Sequence, residues 1–294
     1  MKFLNYGSVN IDLVFTVDHV VQPGETLSSS AFFRSAGGKG ANQSAALAKA
    51  GANVTHAGKI GSDGQFLVDL LRGYGVDTSL IRVYEGATGQ ALIQLDKHKQ
   101  NAIVLFGGGN LQITRDEIDT SLERFDAGDM LVLQNEIVYT AYLMESANRR
   151  GMKICLNTAP FDEKILSLPL HLADILVVNE IEGAALANTA KGASFIEVLD
   201  ALVKKYPSSE IVLTVGKYGA YYAYKETRLH EPIYDLPVAD TTAAGDTFIG
   251  YFLTSRSLGH SNAQALRYAC KASALAVSRI GAMGSIPVAS EVFD

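Results

Sequence analysis

The feature that most constrains the fold is a regular alternation, from Asp116 onward, of short β-rich segments with longer amphipathic segments. Met130–Leu133, Lys153–Asn157 and Glu210–Val215 have the length and apolar character of buried strands. Segments with helical spacing of apolar residues separate them, as at Thr140–Arg150. Strands that alternate with helices in this way are typical of a mostly parallel sheet covered on both faces. The sequence therefore predicts an α/β fold.

Two segments, residues 11–35 and 86–106, carry β-rich sequence without intervening helices. In the second, strands at 89–96 and 101–106 are predicted to form a hairpin around the polar turn at 97–100. We interpret both segments as one small β-sheet added to a single domain over 1–294. The other predicted strands lie at 2–6, 53–57, 130–133, 153–157, 175–178, 210–215 and 220–225, and the predicted helices at 41–50, 66–73, 116–124, 140–150, 180–187, 195–206, 246–257 and 263–280.

The charge balance narrows the choice of partners. Lys and Arg number 25 against 31 Asp and Glu, a net charge of −6, and no basic run stands out. Because nucleic-acid backbones are bound by clustered Lys and Arg, we expect no nucleic-acid partner. A small anionic ligand stays open, since a few local donors are enough to hold one.

The N-terminal segment and the cysteines indicate the cellular compartment. Polar residues interrupt the first apolar run, which makes a poor signal peptide, and no apolar stretch approaches the length of a membrane span. Cys155 and Cys270 have no CxxC partner and are expected to be buried free thiols. We therefore expect a protein of the reducing cytoplasm with no membrane partner. The six histidines lack ligand spacing, so no zinc site is predicted.

A first glycine-rich loop precedes the helix predicted at 41–50. Gly37, Gly38 and Gly40 surround Lys39. Residues without side chains let the backbone approach a ligand closely, and a helix start adds exposed N–H donors. The spacing fits neither a Walker A loop nor GxGxxG. The alternative interpretation is a glycine turn with no ligand.

A second small-residue loop, at 240–250, leads into an apolar helix. Ala244 and Gly245 let successive N–H groups converge on one point, which suits negative charge developing on a transferred phosphoryl group. Asp246 follows in the first helical turn and is placed to accept a proton from an attacking hydroxyl. The alternative is that Asp246 only complements the helix dipole.

Taken together, these loops resemble the ribokinase-like, or PfkB, family of carbohydrate kinases. The resemblance covers nearly the whole chain, and six further segments share it in the family's order: NID at 10–12, TGQALI at 88–93, LNTAP at 156–160, VNEIE at 178–182, TVGKYGA at 214–220 and RIGAMGSIP at 279–287. It implies a doubly wound α/β fold, with the small β-sheet at 11–35 and 86–106 acting as a lid over the sugar. A lid would exclude water that competes for the phosphoryl group.

The resemblance also implies roles for individual residues. Asp246 would be the catalytic base, and the amide groups of Ala244, Gly245 and Asp246 would form an anion hole. Once water is excluded, each sugar hydroxyl needs a donor or an acceptor. Lys39 has a competing role as charge partner of the transferred phosphate, and the sequence does not separate the two. The sugar-contacting positions would be Asn10, Asp12, Gly38, Lys39, Asn42 and Glu136.

The nucleotide and ion positions follow from the same resemblance. The resemblance places Asn179 and Glu182 near the ATP phosphates and Mg²⁺, and Glu182 would reach the ion through water. The alternative interpretation is that Glu182 is simply an exposed helix residue. The turn cradling ATP would hold Thr214, Gly216 and Gly219, with residues 269–273 near the adenine; Cys270 stands where many relatives carry His. The site for a monovalent cation, K⁺, would comprise Asp240, Thr242, Ala276, Arg279, Gly281 and Ser285.

The implied reaction is ATP-dependent phosphorylation of a free sugar, ribose first, giving ribose 5-phosphate. A nucleoside, a hexose or a sugar phosphate is the alternative acceptor within the family. Outside it stand a catalytically silent sugar-binding protein and a nicotinamide oxidoreductase; the segment Gly7–Asn10, which lacks GxGxxG, argues against the second. An exposed sheet edge on the lid favours a homodimer through the lids.

Overall fold

Two β-sheets organise the computed structural model, which describes residues 1–98 and 100–293. The described strands are β1 (Phe3–Tyr6), β2 (Asn10–Thr16), β3 (Ala31–Gly37), β4 (Val54–Gly61), β5 (Asp77–Tyr84), β6 (Gly89–Leu95), β7 (Asn101–Phe106), β8 (Met130–Leu133), β9 (Lys153–Asn157), β10 (Ile175–Asn179), β11 (Glu210–Thr214), β12 (Ala220–Tyr224) and β13 (Thr227–Glu231). The described helices are α1 (Lys39–Lys49), α2 (Gln65–Gly73), α3 (Arg115–Leu122), α4 (Thr140–Arg149), α5 (Glu180–Ala187), α6 (Phe195–Lys205), α7 (Ala244–Ser257), α8 (Asn262–Val277) and α9 (Ala289–Val292).

The large sheet has the strand order β13-β12-β11-β10-β9-β8-β1-β4-β5. All neighbours from β11 to β5 are parallel, and β12 and β13 continue the β11 edge as an antiparallel pair. The chain moves outward from β1 through β4 to β5 and then returns to β8, on the other side of β1. This reversal is the switch point of a doubly wound sheet, beside which ligands bind at the carboxyl ends of the strands.

Helices cover both faces of the large sheet. On one face, Leu47 of α1 and Phe252 of α7 belong to a buried apolar cluster that includes Phe3 of β1. On the other face, Leu143 of α4 packs in a second cluster with Leu4, the next residue of β1. Successive side chains of a strand point to opposite faces, so this short strand supplies both cores. The predicted doubly wound α/β fold is confirmed.

The small sheet has the order β3-β2-β6-β7. Its central strands β2 and β6 are parallel, and each outer strand pairs antiparallel with its neighbour. The predicted hairpin corresponds to β6 and β7; of its turn, Lys99 lies outside the described residues. The chain leaves the large sheet at the end of β1 and soon enters β2, so the small sheet is joined to the main body at the switch point.

The predicted elements are present, with shifted boundaries. The strand predicted at 53–57 extends to Gly61, and the helix predicted at 246–257 begins at Ala244. Two strands were missed, because β5 and β13 are edge strands in which polar and exposed residues mask the apolar pattern. No helix within the described residues is long and apolar enough to cross a membrane.

Candidate active site

The start of α1 is pressed against the connection between β1 and β2. Gly38 has a φ of 92° and precedes the helix, a conformation that residues with a Cβ rarely adopt. A Cβ on Gly40 would lie 2.4 Å from the amide nitrogen of Ser8. The Ala41 amide donates to the Ser8 carbonyl at 2.9 Å. These glycines therefore bring a helix N-terminus directly onto the switch point of the sheet.

The start of α7 faces the same point. Ala243 has a φ of 59°, and no side chain caps the helix. Ala244, Gly245 and Asp246 form its first turn, where amide groups lack intrahelical acceptors. The Ala244 amide donates to the Thr241 carbonyl at 3.3 Å. The loop thus presents N–H donors and the positive end of a helix dipole to the neighbouring space, as the sequence pattern predicts.

Asp246 is buried, with 7% of its surface exposed, and both carboxylate oxygens are held by α1. The Nδ2 group of Asn42 donates to Oδ2 at 3.0 Å, and the Nε2 group of Gln43 donates to Oδ1 at 3.0 Å. The helices can meet here because Gly250 of α7 has no side chain: a Cβ would lie 2.4 Å from the Cβ of Ala46. Asp246 is therefore held in place by α1, in addition to lying at the positive end of the α7 dipole.

A cavity of about 200 Å³ opens beside Asp246. It joins the α7 first turn to the predicted phosphate and metal positions, and its lining includes Lys39, Asn179, Glu182, Ala244, Gly245 and Asp246. The charge of Asp246 raises the pKa of the Lys39 ammonium, and the charges of Glu136 and Glu182 raise it further. Burial lowers this pKa, but by less than the three charges together raise it. Lys39 is thus a firmly charged cation among three carboxylates, in the wall of this cavity.

The predicted sugar positions gather where β2 enters the small sheet. Burial, followed by the charge of Glu136, raises the pKa of Asp12 to about 7. Gly37 makes room for this carboxyl group, because a Cβ there would lie 2.1 Å from the Asp12 Oδ2 atom. The Asn10 Oδ1 atom accepts from Asn110 Nδ2 at 2.7 Å, and Asn110 Oδ1 accepts from the Val9 amide at 3.0 Å.

Glu136 follows strand β8 and reaches the start of α1. Its Oε2 atom accepts from the Lys39 amide at 3.0 Å and from the Ser8 hydroxyl. Burial raises the pKa of Glu136, while the Lys39 charge and the Ser8 hydrogen bond lower it. Glu136 and Asp12 are therefore two partly buried carboxyl groups near the point where β2 enters the small sheet.

Asn179 and Glu182 form a capping box at the start of α5. Asn179 Oδ1 accepts from the Glu182 amide at 2.8 Å, and Glu182 Oε2 accepts from the Asn179 amide at 3.1 Å and from the Thr158 hydroxyl at 3.0 Å. Glu182 is buried, so its interpretation as an exposed helix residue is wrong. Within the described residues no cluster of three acidic, His or Cys side chains is placed to hold a metal. A single protein carboxylate can hold Mg²⁺, which keeps several waters and takes phosphate oxygens as ligands.

A second cavity, of about 280 Å³, continues from the first. Asn179, Thr214, Ala244 and Gly245 line both cavities. The remaining walls come from the start of α5, the turn after β11, the segment after β13, and α7 and α8. Gly216, Gly219, Phe248, Cys270 and Ser273 are among the lining residues. The two cavities together form a groove that leads from the α8 face to Asp246, and they bring together all five predicted nucleotide residues.

Backbone conformation shapes the wall of the second cavity. Gly216 and Gly219 have φ angles of 53° and 91°, and a Cβ on Gly219 would lie 2.0 Å from the Glu231 carbonyl oxygen. Burial raises the pKa of the Cys270 thiol to about 12, and the thiol lies near the Glu231 carbonyl. Cys270 is therefore an unreactive apolar contact surface at this end of the groove.

The loop before α7 is tied to the loop after α8. Asp240 Oδ1 accepts from the Thr242 amide at 2.9 Å and from its hydroxyl at 2.6 Å. Asp240 Oδ2 accepts from the Gly281 amide at 3.0 Å. Three of the six predicted cation-site residues are thereby in direct contact.

The other three predicted cation-site residues have local partners. The Ala276 carbonyl accepts from the Arg279 amide at 3.1 Å, and the Arg279 side chain pairs with Glu291. Ser285 is buried, and its hydroxyl donates to the Ala282 carbonyl at 2.8 Å. The six residues therefore lie in the two linked loops and at the end of α8, and their described contacts show no shared oxygen cage.

Sequence reasoning missed four polar residues of this site: Ser8, Gln43, Asn110 and Gln134. Gln134 directly follows the apolar strand β8, so its position at a carboxyl end was an available signal. Gln43 lies one residue after Asn42, and adjacent helical residues do not normally share a face, so spacing gave no hint of their common partner.

Comparison with known proteins covers the whole chain. Residues 2–289 match the model of the pfkB family of carbohydrate kinases. The ribokinase of Staphylococcus aureus (strain COL) is 36% identical, over 99% of this chain and 98% of the relative. A structure of Arabidopsis thaliana ribokinase complexed with ribose and ATP is similar with a TM-score of 0.88 and 28% identity, covering 99% of this chain and 97% of the other. The ADP complex of ribokinase from Cryptococcus neoformans is similar with a TM-score of 0.88 and 31% identity, covering 99% and 98%.

Proposed function

Because the chain belongs to the pfkB family of carbohydrate kinases, we propose that it transfers the γ-phosphoryl group of ATP to ribose and forms ribose 5-phosphate. Similarity to ribokinases over nearly the full length of both chains supports the choice of acceptor. The observation that carries the reaction type is the groove in which Asp246, Lys39 and the first turn of α7 meet.

In the proposed reaction, Asp246 accepts the proton of the attacking ribose hydroxyl. The hydroxyl oxygen forms a bond to the γ-phosphorus, and the bond to the β,γ-bridging oxygen breaks, so ADP leaves with that electron pair. Lys39 and the amide groups of Ala244, Gly245 and Asp246 stabilise the charge on the transferring group. The position of Lys39 in the wall of this cavity favours the phosphate among its two candidate roles.

Ribose would bind where β2 enters the small sheet, with its hydroxyls paired to Asp12 and Glu136 as acceptors and to Asn10 and Asn42 as donors. Gly38 would let the sugar approach the backbone. The small sheet, as a lid, would exclude water from this end of the groove. Asn42 also holds Asp246, so it would place the base and the sugar relative to each other.

The nucleotide would occupy the second cavity, with the adenine beside Cys270 and the phosphates near Asn179, Thr214, Gly216 and Gly219. Mg²⁺, when bound with ATP, would offset the charge of the phosphates. Glu182 would hold the hydrated ion at the cavity wall; its Thr158 hydrogen bond keeps the carboxylate in place.

Two further proposals concern the ions and the assembly. K⁺ would bind beside Asp240, where the loop before α7 meets the end of α8 and the loop after it, and order residues 240–246. The other residues of this site would be Thr242, Ala276, Arg279, Gly281 and Ser285. Equal turnover in K⁺ and in tetramethylammonium would contradict this.

A homodimer would form through the exposed apolar residues of the small sheet, among them Phe32, Phe33, Val104, Leu105 and Phe106. A monomeric mass across micromolar concentrations would contradict it.

The cytoplasm is the proposed location, because ATP is available there and both cysteines are buried free thiols.

The decisive test of the function measures ATP turnover with Mg²⁺ and K⁺ against ribose, deoxyribose, fructose, fructose 6-phosphate, adenosine and pseudouridine. Turnover confined to ribose supports the proposal. Turnover with another acceptor and none with ribose would overturn the assignment of ribose as the substrate, while the assignment of kinase activity would stand.

A further inference from the structure

A buried chain of side-chain amides runs from the Asp246 carboxylate into the core. Gln43 Nε2 donates to Asp246 Oδ1 at 3.0 Å, and Gln43 Oε1 accepts from Gln134 Nε2 at 2.7 Å. The same Gln134 nitrogen donates to Asn5 Oδ1 at 2.9 Å. None of the three amide side chains is more than 1% exposed, so water does not substitute for these bonds.

The direction of this chain is set by a backbone group. Asn5 Nδ2 donates to the Gly40 carbonyl at 2.7 Å, and a carbonyl oxygen only accepts. Asn5 must therefore turn its own oxygen to Gln134, which presents its NH₂ group to both neighbours. The Gln43 oxygen then faces Gln134, and its NH₂ group is left to face the carboxylate.

This orientation has a cost in the core. Gln134 Oε1 is buried and has no hydrogen-bond partner in the part of the chain that the structure describes. A buried polar atom without a partner is rare in native proteins and is tolerated where another requirement dominates. Here the requirement is that both Gln134 hydrogens are donated, one to Asn5 and one to Gln43.

We infer that Gln43 is a positioning residue for Asp246, and that Gln134 and Asn5 fix the direction in which the Gln43 amide faces. The inference rests on the proposed role of Asp246 as base. With Asn42 on one oxygen and Gln43 on the other, the carboxylate plane is locked. One remaining lone-pair direction on each oxygen stays available for the proton of the attacking hydroxyl. A reversed Gln43 amide would place its carbonyl against the carboxylate and turn the base away.

The test compares the variants Q43L, Q134L and the double variant by steady-state kinetics. Q43L is expected to lower kcat about tenfold to a hundredfold, the effect of a lost charge-assisted hydrogen bond. Q134L should lower kcat in the same direction and by no more than Q43L, because it acts only by releasing the Gln43 amide. The KM values for the acceptor and for ATP should stay within about threefold, because neither residue is proposed to contact a substrate. The double variant should lose no more than the larger single loss, because both act through one bond.

Two further variants separate positioning from general damage to the core. Q43E keeps the size and the acceptor toward Gln134 but offers Asp246 an oxygen, so it should lose at least as much kcat as Q43L. S44A is the control. Ser44 accepts from Asn5 at 2.8 Å but does not contact Asp246, and the Gly40 carbonyl still fixes Asn5 without it. S44A should lower the melting temperature and keep kcat within about twofold.

Three results would each overturn the inference. They are additive losses of kcat in the double variant, a kcat of Q43L within twofold of wild type, and a loss of kcat in S44A equal to that in Q43L. The ratios are taken on whichever acceptor the wild type uses, so a different substrate does not affect them. If the wild type turns over no acceptor, the proposed function fails, and the orientation of the amide chain is decided without substrate. The side-chain amide signal of Gln43 in the NMR spectrum, identified by its loss in Q43L, should shift in Q134L and stay in place in S44A. An unshifted signal in Q134L would show that Gln134 does not orient Gln43.

Discussion

Replacing Asp12 with asparagine should stabilise the sugar-free protein at neutral pH and remove one source of its pH dependence. Burial, and then the charge of Glu136, raise the pKa of Asp12 from 3.8 to about 7. The two values lie about three pH units apart, and each unit corresponds to about 1.4 kcal/mol. In the sugar-free protein, holding the ionised carboxylate at this position therefore costs about 4 kcal/mol of folding stability at most.

The sign of the effect follows from where the proton is held. Between pH 3.8 and about 7, the folded protein keeps the Asp12 proton and the unfolded chain has released it. Stability from this group is therefore greatest below pH 4, falls as the pH rises, and is lowest above about pH 7. His56 acts in the opposite direction. Burial lowers its pKa from 6.5 to about 4, so its contribution is lost as the pH falls through that range.

Urea unfolding of the wild type and of D12N from pH 4 to pH 9, without sugar, separates the two groups. The contribution of His56 is common to both proteins and cancels in the difference. The difference should be near zero at pH 4 and should rise to about 2–4 kcal/mol in favour of D12N at pH 8. Ribose affinity should fall in D12N, because the hydroxyls lose a charged acceptor. The same difference in unfolding free energy between D12N and the wild type at pH 4 and at pH 8 would refute the reasoning. It would mean that Asp12 ionises in the folded protein as it does in the unfolded chain.

Two other perturbations test the base and the helix contact beneath it. Asp246→Asn should lower kcat by about 10²- to 10⁴-fold, because an amide cannot take up the hydroxyl proton; steady-state kinetics and sugar-binding calorimetry measure it, and activity within tenfold of wild type would exclude Asp246 as the base. Gly250→Ala should destabilise the fold by about 1–3 kcal/mol in urea unfolding, because its Cβ would lie 2.4 Å from the Cβ of Ala46. Gly73→Ala is the matched control, since a Cβ there meets no atom within 4 Å, and equal stability of both variants would contradict the packing argument.

Local sequence signals predicted most of the fold for physical reasons that are visible in single elements. Strands such as Met130–Leu133 are apolar throughout because both of their faces are covered. The spacing Asn179-x-x-Glu182 marks a helix start, and the structure contains a capping box there. The strand Asp77–Tyr84 could not be predicted in this way, because it forms the edge of the sheet and exposes polar residues between buried ones.

The amide chain behind Asp246 was beyond such signals because it depends on tertiary contacts. Gln43 and Asp246 are 203 residues apart, and Gln134 lies 91 residues from Gln43. Each glutamine is by itself an unremarkable polar residue in the sequence. Their function as a group exists only after Asn5 has been fixed by the backbone of α1.

The packing of α7 against α1 explains why the site lies where two helix starts meet. The glycine-rich loops predict that α1 and α7 begin near a ligand, but they do not say how the helices are placed relative to each other. That placement depends on Gly250, which lets α7 approach Ala46 of α1. The approach delivers Asp246 to the amides of Asn42 and Gln43, which lie one turn before Ala46 along α1. A change in the spacing of these helices would therefore act first on the orientation of the carboxylate and only second on the shape of the sugar site, so kcat is the parameter that should respond to packing changes far from either substrate.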